Sequence, residues 1–310
     1  MKDNQLCMNL HHYALWVDDV DEAMARYALL LGLHGEKTGD SAIMRCMHED
    51  FSLVLKPAGG GQKAELNYVA YELIPGLSLT EASDVLKTRG ESAKQIDVPV
   101  RGKGLLLNDS DGNRIVLIER QPPEDRRPPI MIETKTLGGF HPRKFDHINY
   151  ITDDIQGAFK WYTEVLGFQL TDWIGDEAFW LHINGQHHVI AFLDTGQKHI
   201  HHMAYSYVDF GEIRQTLDHI SKHGKYVTWG PLRHGMAQNL AVYWRMEEED
   251  MFIELCTDMQ QLEADHEPVV HPDNPYSSNT WGILPPRSYF KFDKESIEKE
   301  RENVHTQIHV

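Results

Sequence analysis

The second half of the chain begins with the stretch Phe145-Asp146-His147-Ile148-Asn149-Tyr150. It predicts a β-strand, in which residues two positions apart share a face, so that His147 lies beside Phe145 and Asn149. The acidic pair Asp153-Asp154 and a helical spacing of apolar residues follow. The stretch therefore predicts a strand that leads into a capped helix.

An internal repeat extends this unit to most of the chain. Residues 10–19 align with residues 145–154, and in both halves the strand is followed by a helical pattern that ends at a glycine, Gly32 or Gly167. A second helix and several short apolar runs follow in each half. The pattern predicts an α+β protein of two domains, each a pair of modules with one strand, one helix and three further strands (βαβββ).

The length of 310 residues also favours two domains, each large enough to bury its own core. Prolines between residues 121 and 129 interrupt regular structure and mark the joint. We predict four segments: an N-terminal domain (1–125), a linker (126–140), a second domain (141–258) and a C-terminal tail that lies over the second domain (259–310).

The composition excludes several classes of partner. A net charge of -17 and a pI near 5.5 argue against nucleic acid and against an anionic membrane. Three cysteines at wide spacing fit neither a disulfide framework nor a zinc ribbon, so we expect a reducing, cytoplasmic compartment. No apolar run approaches the roughly twenty residues of a membrane span. We expect small-molecule ligands and a homo-oligomer.

A comparison of the two halves locates a candidate metal site. At three aligned positions the second half carries His147, His202 and Glu254, and the first half carries His12, Tyr68 and Val116. Because valine cannot bind a metal, the first domain is predicted to hold none. Glu254 lies between two apolar residues on a predicted strand, where a carboxylate is costly to bury without a positive partner. A divalent cation supplies that partner.

Two imidazoles and one carboxylate form a facial triad. This set occupies one face of an octahedral metal and leaves other positions for a substrate and dioxygen, unlike a closed site of four thiolates. We expect iron(II), with manganese(II) as the alternative, because both accept nitrogen and oxygen ligands in octahedral geometry. Strand alternation is expected to place His201 on the face opposite to His202.

Three further motifs carry a family resemblance. Residues 180–191 include His188 at the start of a predicted strand, residues 230–235 read Gly-Pro-Leu-Arg-His-Gly, and Tyr243 follows His234 by nine positions. With the metal triad and residues 273–282 of the tail, these motifs resemble the type I extradiol catechol dioxygenases of the vicinal oxygen chelate superfamily. The resemblance covers about residues 8 to 290 and implies the two-domain fold of that superfamily.

The resemblance implies a role for each motif residue. His147, His202 and Glu254 would bind the metal, His188 would be the acid-base residue with His187 as a bystander, and His234 and Tyr243 would hydrogen-bond the substrate oxygen. The implied activity is iron(II)-dependent extradiol (meta) ring cleavage of a small aromatic diol with dioxygen, giving a muconic-semialdehyde-type product. Imidazoles suit such proton transfers near neutral pH.

Substrate contacts are predicted from position. Trp180 and Trp229 lie near His188 and His234 in the sequence and are expected to form an aromatic wall. In relatives that cleave homoprotocatechuate, basic residues are expected to pair with the substrate carboxylate. Arg287 is the candidate for that role here, although we expect an uncharged or alkyl-substituted catechol as the substrate.

Two alternatives share the fold. One is a glyoxalase-like, metal-dependent lyase or isomerase, and the other is a non-catalytic binding protein of the bleomycin-resistance kind. A glyoxalase-like site gives no reason for His188 and His234 to occur together with the Arg-His-Gly motif. A binding protein needs a cavity but no metal, and therefore gives no reason for Glu254 on an apolar strand.

Overall fold

The computed structural model describes residues 4–59, 63–130 and 141–308. Within these residues the chain forms two β-sheets, and each sheet is built from two βαβββ modules. The predicted α+β fold of paired modules is therefore confirmed. Residues 131–140, which belong to the predicted linker, lie outside the described residues.

The first sheet has eight strands in the described part of the chain. Its elements are β1 (Cys7–Val17), α1 (Val20–Leu31), β2 (His34–Thr38), β3 (Ser41–Arg45), β4 (Leu53–Pro57), β5 (Glu65–Leu73), α2 (Leu79–Thr88), β6 (Lys94–Val98), β7 (Gly102–Asn108) and β8 (Arg114–Ile118). The strand order is β2-β3-β4-β1-β5-β8-β7-β6, so the first strand of each module lies at the centre.

The second sheet has ten strands among the described residues, because two strands of the tail are added to its edges. The module elements are β9 (Lys144–Thr152), α3 (Ile155–Glu164), β10 (Gln169–Ile174), β11 (Ala178–His182), β12 (Ile190–Asp194), β13 (His199–Ser206), α4 (Phe210–Ser221), β14 (Trp229–His234), β15 (Leu240–Met246) and β16 (Met251–Thr257). The tail adds β17 (Val269–His271), α5 (Pro275–Ser278), β18 (Asn279–Trp281), α6 (Arg287–Phe290) and α7 (Lys294–Ile308).

The order of the second sheet is β17-β10-β11-β12-β9-β13-β16-β15-β14-β18. The tail therefore pairs with both outer strands, which the sequence analysis did not predict. This pairing satisfies the backbone groups that an edge strand otherwise exposes. It also carries the tail across the face of the sheet.

The acidic residues before α1 and α3 act as helix caps, as predicted. The carboxylate of Asp19 accepts hydrogen bonds from the backbone N–H groups of Asp21 and Glu22, and that of Asp154 accepts one from Gly157. Such caps satisfy donors that have no partner inside the helix. Gly32 ends α1 with a φ of 65°, which a residue without a side chain adopts at little cost.

The largest apolar cluster of the described residues joins the two halves, and smaller buried clusters lie within each half. One apolar cluster extends from Tyr13 and Val69 of the first half to Leu166 and Tyr205 of the second. The hydroxyl groups of Tyr13 and Tyr205 lie 2.6 Å apart across the boundary. Both halves present apolar surface to each other, so joining them removes more of it from water than two isolated domains would.

Among the described residues, no helix is both long and apolar enough to cross a membrane.

Candidate active site

The candidate metal ligands lie together because of strand register. Ala204 on the central strand β13 pairs with His147 on β9 and with Glu254 on β16. Residues that pair across strands share a face of the sheet, so the three side chains form one row. His202 lies two positions before Ala204 and joins them from the same strand. The row continues through Tyr243 to Trp229 on β15 and β14.

The ligand atoms are close enough for one metal ion. Glu254 Oε2 lies 3.1 Å from His147 Nε2 and 3.1 Å from His202 Nε2, and the two Nε2 atoms are 3.3 Å apart. For bonds of about 2.1 Å, neighbouring ligands of an octahedral ion are separated by about 3.0 Å. The donor set and its spacing therefore fit an octahedral divalent cation with half of its positions left open.

Both imidazoles are held through Nδ1, so that Nε2 of each points towards the other candidate ligand atoms. His147 Nδ1 donates to Asp146 Oδ1 over 3.0 Å. His202 Nδ1 lies 2.7 Å from His201 Nδ1, and His201 Nε2 lies 2.7 Å from the carbonyl of Tyr289. A carbonyl oxygen can only accept a hydrogen bond, so His201 donates to it from Nε2. The unprotonated Nδ1 of His201 therefore accepts a hydrogen bond from His202 Nδ1. Such outer partners orient metal-binding histidines.

The third ligand is oriented and ionised. Asn239 Nδ2 donates to Glu254 Oε1 over 3.0 Å, which leaves Oε2 towards the histidines. Burial by itself raises the pKa of Glu254, but the charge and hydrogen bonds of His147 and His202 outweigh it and hold that pKa well below its usual value. The carboxylate is thus an anion in the cavity and binds a cation without first losing a proton.

The first half has the same register with different side chains. His12, Ala70 and Val116 pair across β1, β5 and β8, as His147, Ala204 and Glu254 do in the second half. Tyr68 stands at the position of His202, and its hydroxyl group lies 3.3 Å from His12 Nε2. An apolar cluster that includes Phe51, Tyr68 and Val116 fills this place. The register thus reproduces the alignment on which the candidate metal ligands were chosen.

His234 and Tyr243 form a hydrogen-bonded pair beside the ligands. The hydroxyl group of Tyr243 lies 2.8 Å from His234 Nε2, and His234 Nδ1 lies 3.0 Å from the carbonyl of Ser278. His234 must donate to that carbonyl, so its Nε2 accepts the phenol proton. Gly235 permits the tail to come this close, because a Cβ at this position would lie 2.3 Å from the carbonyl oxygen of Ser277.

The proton states of these groups follow from burial. Burial lowers the pKa of His234, and it lowers that of His188 well below the usual value, with His147 and His187 adding to the effect. Burial also raises the pKa of Tyr243 well above its ordinary value. The two imidazoles are therefore neutral and Tyr243 is a phenol at neutral pH.

A cavity that is partly open to solvent contains the site. Eight of the nine residues singled out in the sequence line it: His147, Trp180, His188, His202, Trp229, His234, Tyr243 and Glu254. Arg287 does not. Arg287 is exposed at the start of α6, and it lines a different depression together with Ser296 and Lys299. The residue of α6 that lines the active-site cavity from a buried position is Tyr289.

The predicted alternation of His201 and His202 is also wrong. The pairing of β13 with β9 shifts register between Ile200 and His202, which marks a β-bulge. His201 contacts the ring of Tyr289 at 4.4 Å and lies beneath the tail, on the side where His202 contacts Tyr243. A bulge inserts one residue, so two successive side chains can face the same side.

Several site residues were missed by the sequence analysis. Asn149 and Asn239 line the cavity, and each has a buried amide oxygen with no hydrogen-bond partner among the described residues. Asn149 belongs to the face that includes His147, so the strand pattern contained a signal for it. Tyr289 and Asn239 are placed by the tail and by a turn, which leave no periodic signal. His187, taken for a bystander, contacts His188 over 3.1 Å.

The family comparison matches residues 144–252 to the Glyoxalase/Bleomycin resistance protein/Dioxygenase superfamily. The second half of the chain therefore carries a domain that matches this superfamily. It is 24% identical over 277 residues to metapyrocatechase 2 of Cupriavidus necator, covering 83% of this chain and 82% of that one. It is 22% identical over 252 residues to a manganese-dependent 2,3-dihydroxybiphenyl 1,2-dioxygenase of Geobacillus genomosp. 3, covering 75% and 79%. The relatives carry the names of extradiol dioxygenases, and the predicted resemblance is confirmed.

Solved structures share the fold. The Mn(II)-bound glyoxalase from Novosphingobium aromaticivorans matches with a TM-score of 0.77 and 22% identity over 91% of this chain and 94% of that one. A substrate complex of homoprotocatechuate 2,3-dioxygenase from Brevibacterium fuscum matches with a TM-score of 0.78 and 20% identity over 93% of both chains. Because a glyoxalase and a dioxygenase match equally well, fold similarity does not choose between their activities.

Proposed function

We propose that the protein is an extradiol dioxygenase that cleaves a catechol beside its two hydroxyl groups and yields a muconic-semialdehyde-type product. The observation that carries the proposal is the pair His234 and Tyr243 in one cavity with His188 and the triad of His147, His202 and Glu254. A metal-dependent lyase uses the triad, but it does not need two further neutral imidazoles and a phenol around it. The names of the relatives support the same activity.

The metal is proposed to be iron(II), with manganese(II) as the alternative. Bound at the triad, a redox metal supplies the electron transfer between an ionised catechol and dioxygen that ground-state dioxygen otherwise resists. Glu254 contributes one negative charge and the histidines are neutral ligands, so the site keeps a net positive charge that favours an ionised substrate oxygen.

The His234–Tyr243 pair is suited to receive the first proton. A substrate hydroxyl group that donates to the Tyr243 oxygen can pass its proton along the 2.8 Å hydrogen bond to His234 Nε2. The carbonyl of Ser278 holds the other nitrogen of His234, so the ring is already oriented. The pair then returns a hydrogen bond to the substrate oxygen and stabilises its negative charge.

His188 is proposed as the acid-base residue on the side of His147. The centroids of these two rings are 4.2 Å apart, so His188 lies against a proposed metal ligand. The ring is buried and neutral, and a proton held there has few competitors from solvent. His188 would hold that proton while the ring is attacked and release it as the product forms.

The cavity favours an uncharged or alkyl-substituted catechol. Apolar side chains, including Ile174, Leu193 and Met236, line it with the aromatic rings of Trp180 and Trp229. Among the described lining residues there is no lysine or arginine, so a substrate carboxylate would be buried without a positive partner. We therefore propose that catechol and alkylcatechols are better substrates than homoprotocatechuate.

Oxygen uptake and product absorbance, followed together, test this function. Protein loaded with iron(II) without air is mixed with catechol, alkylcatechols, dihydroxybiphenyl or homoprotocatechuate and then exposed to oxygen. One dioxygen should be consumed per diol, and a yellow ring-opened product should appear. His147→Ala should lose both iron and turnover, whereas His12→Ala in the first half should keep both. An active protein that contains only zinc, or no oxygen uptake with any diol, would favour the lyase instead.

A further inference from the structure

A chain of buried polar side chains lies behind His188. Asp172 Oδ2 on β10 lies 3.1 Å from His187 Nε2 and 3.0 Å from His271 Nε2 of the tail. His187 Nδ1 in turn lies 3.1 Å from His188 Nδ1. The side chains of Asp172, His187 and His188 are all buried. Neither Asp172 nor His187 lines the cavity, whereas His188 does.

The position of each proton follows from the donors and acceptors in this chain. A carboxylate oxygen only accepts, so His187 donates from Nε2, and its neutral ring has no proton on Nδ1. The contact between the two Nδ1 atoms needs one proton, which must belong to His188. A neutral His188 then has no proton on Nε2, the nitrogen that this contact leaves for the cavity.

We propose that Asp172 and His187 are positioning residues that hold His188 in the tautomer with an unprotonated Nε2. The inference rests on the proposed function and deepens it, because in this tautomer His188 enters ring cleavage as a proton acceptor. The second hydroxyl group of the catechol gives up its proton, its O–H bond breaks and an N–H bond forms at His188 Nε2. The ring keeps its Nδ1 contact throughout and need not rotate.

The same chain stabilises the proton once it has moved. The imidazolium form of His188 donates more strongly to His187, and His187 donates more strongly to Asp172. A carboxylate that orients a histidine and stabilises its positive form has this effect in hydrolytic triads, although there it acts without a second histidine. His188 can then return the proton to an oxygen atom of the ring-opened product.

The tautomer can be measured directly on the full-length protein. Zinc(II) replaces iron(II) in the candidate metal site because it is diamagnetic, and histidine labelled with nitrogen-15 distinguishes protonated from unprotonated ring nitrogens by NMR. The His188 signals are assigned by their loss in His188→Gln. The unaltered protein should show His188 with a proton on Nδ1 and none on Nε2. A protonated Nε2 in the neutral ring would overturn the proposal.

Asp172→Asn should reverse the tautomer. The amide nitrogen of asparagine donates to His187 Nε2, so His187 donates from Nδ1 and His188 carries its proton on Nε2. His271→Gln is the matched control, since it changes the other partner of Asp172 and leaves the chain to His188 intact. An unchanged His188 spectrum in both D172N and His187→Phe contradicts the proposal, as does an equal change in H271Q.

Two further measurements test the proposal, and the first of them does not require D172N to fold. His187→Phe removes the acceptor, so His188 should become a mixture of both tautomers, and a single Nε2-unprotonated form would contradict the chain. In the iron-loaded protein, D172N should lower kcat about 100-fold or more with iron content and anaerobic catechol binding unchanged. If the unaltered protein cleaves no catechol, the proposed function fails, while the NMR spectra still decide the tautomer.

Discussion

Ala204 is the residue on which convergence of the metal ligands depends. It lies between His147 and Glu254 in the same cross-strand row, and its methyl group leaves room for the ligand atoms to approach within 3.1 Å of each other. A larger side chain on this face would project between them. The equivalent residue of the first half, Ala70, occupies the same place between His12 and Val116.

Ala204→Leu should therefore abolish metal binding in a protein that still folds. The added methyl groups occupy the space of the ion, and overpacking of this kind costs about 1–3 kcal/mol of stability. Ala70→Leu is the matched control, with a similar loss of stability and no loss of metal. Iron per chain and the free energy of unfolding are the two measurements. Equal iron in both variants would show that the row does not form the metal site.

At the scale of elements, the tail completes the active-site cavity. Ser278 sets the tautomer of His234, and Tyr289 sets that of His201, both through backbone carbonyls. Helix α7 holds this segment in place through Glu300, which accepts a hydrogen bond from Thr228 over 2.9 Å and lies 3.6 Å from Arg245. Arg245 and Glu300 are both buried, so neither charge has water as an alternative partner.

Glu300→Ala should destabilise the protein by about 3 kcal/mol, because it leaves the charge of Arg245 buried and uncompensated. Glu298→Ala, on the same helix, removes only an exposed ion pair with Lys294 and should change stability by less than about 1 kcal/mol. Urea unfolding at pH 7 measures both changes. Similar values for the two variants would mean that α7 does not hold the tail in place through this buried pair.

At the scale of the whole molecule, one apolar cluster joins the first half to the second. Two histidines of the first half, the half-buried His11 and the buried His12, also give the fold a dependence on pH. Burial lowers the pKa of His11 and of His12 well below 6.5, and nearby Arg101 adds to the effect in both cases. The unfolded chain binds protons at these positions below about pH 6.5 and the folded chain does not. Stability is therefore complete above that pH and is lost as the pH falls.

His12→Phe should make unfolding less sensitive to acid. Below about pH 6.5, each histidine that stays neutral in the folded chain lowers the free energy of unfolding by about 1.4 kcal/mol per pH unit. The variant removes one such histidine. Urea unfolding of chelator-treated protein between pH 5 and pH 7.5 measures the slope without a contribution from metal binding. His223→Asn, at an exposed position, should leave the slope unchanged. An unaltered slope in His12→Phe would contradict the burial argument.

Local patterns in the sequence determined the modules and the candidate ligands. Strand alternation, helix caps and the internal repeat depend on residues close together in the chain, and the register of both sheets reproduces the aligned positions of His147, His202 and Glu254. The repeat was informative because each half supplied a reference for the other. Val116 in the first half aligns with Glu254 in the second. This difference distinguished the two halves without any knowledge of packing.

Only the tertiary structure decided the surroundings of those residues. The bulge beside His201, the core that joins both halves, the distance of Arg287 from the cavity and the chain from Asp172 to His188 all depend on contacts between distant segments. A periodic pattern states which face a side chain occupies, but it contains no information on which other segment covers that face. The proton positions of the active-site histidines are set by such covering segments, because each imidazole takes the tautomer that its non-local partner permits.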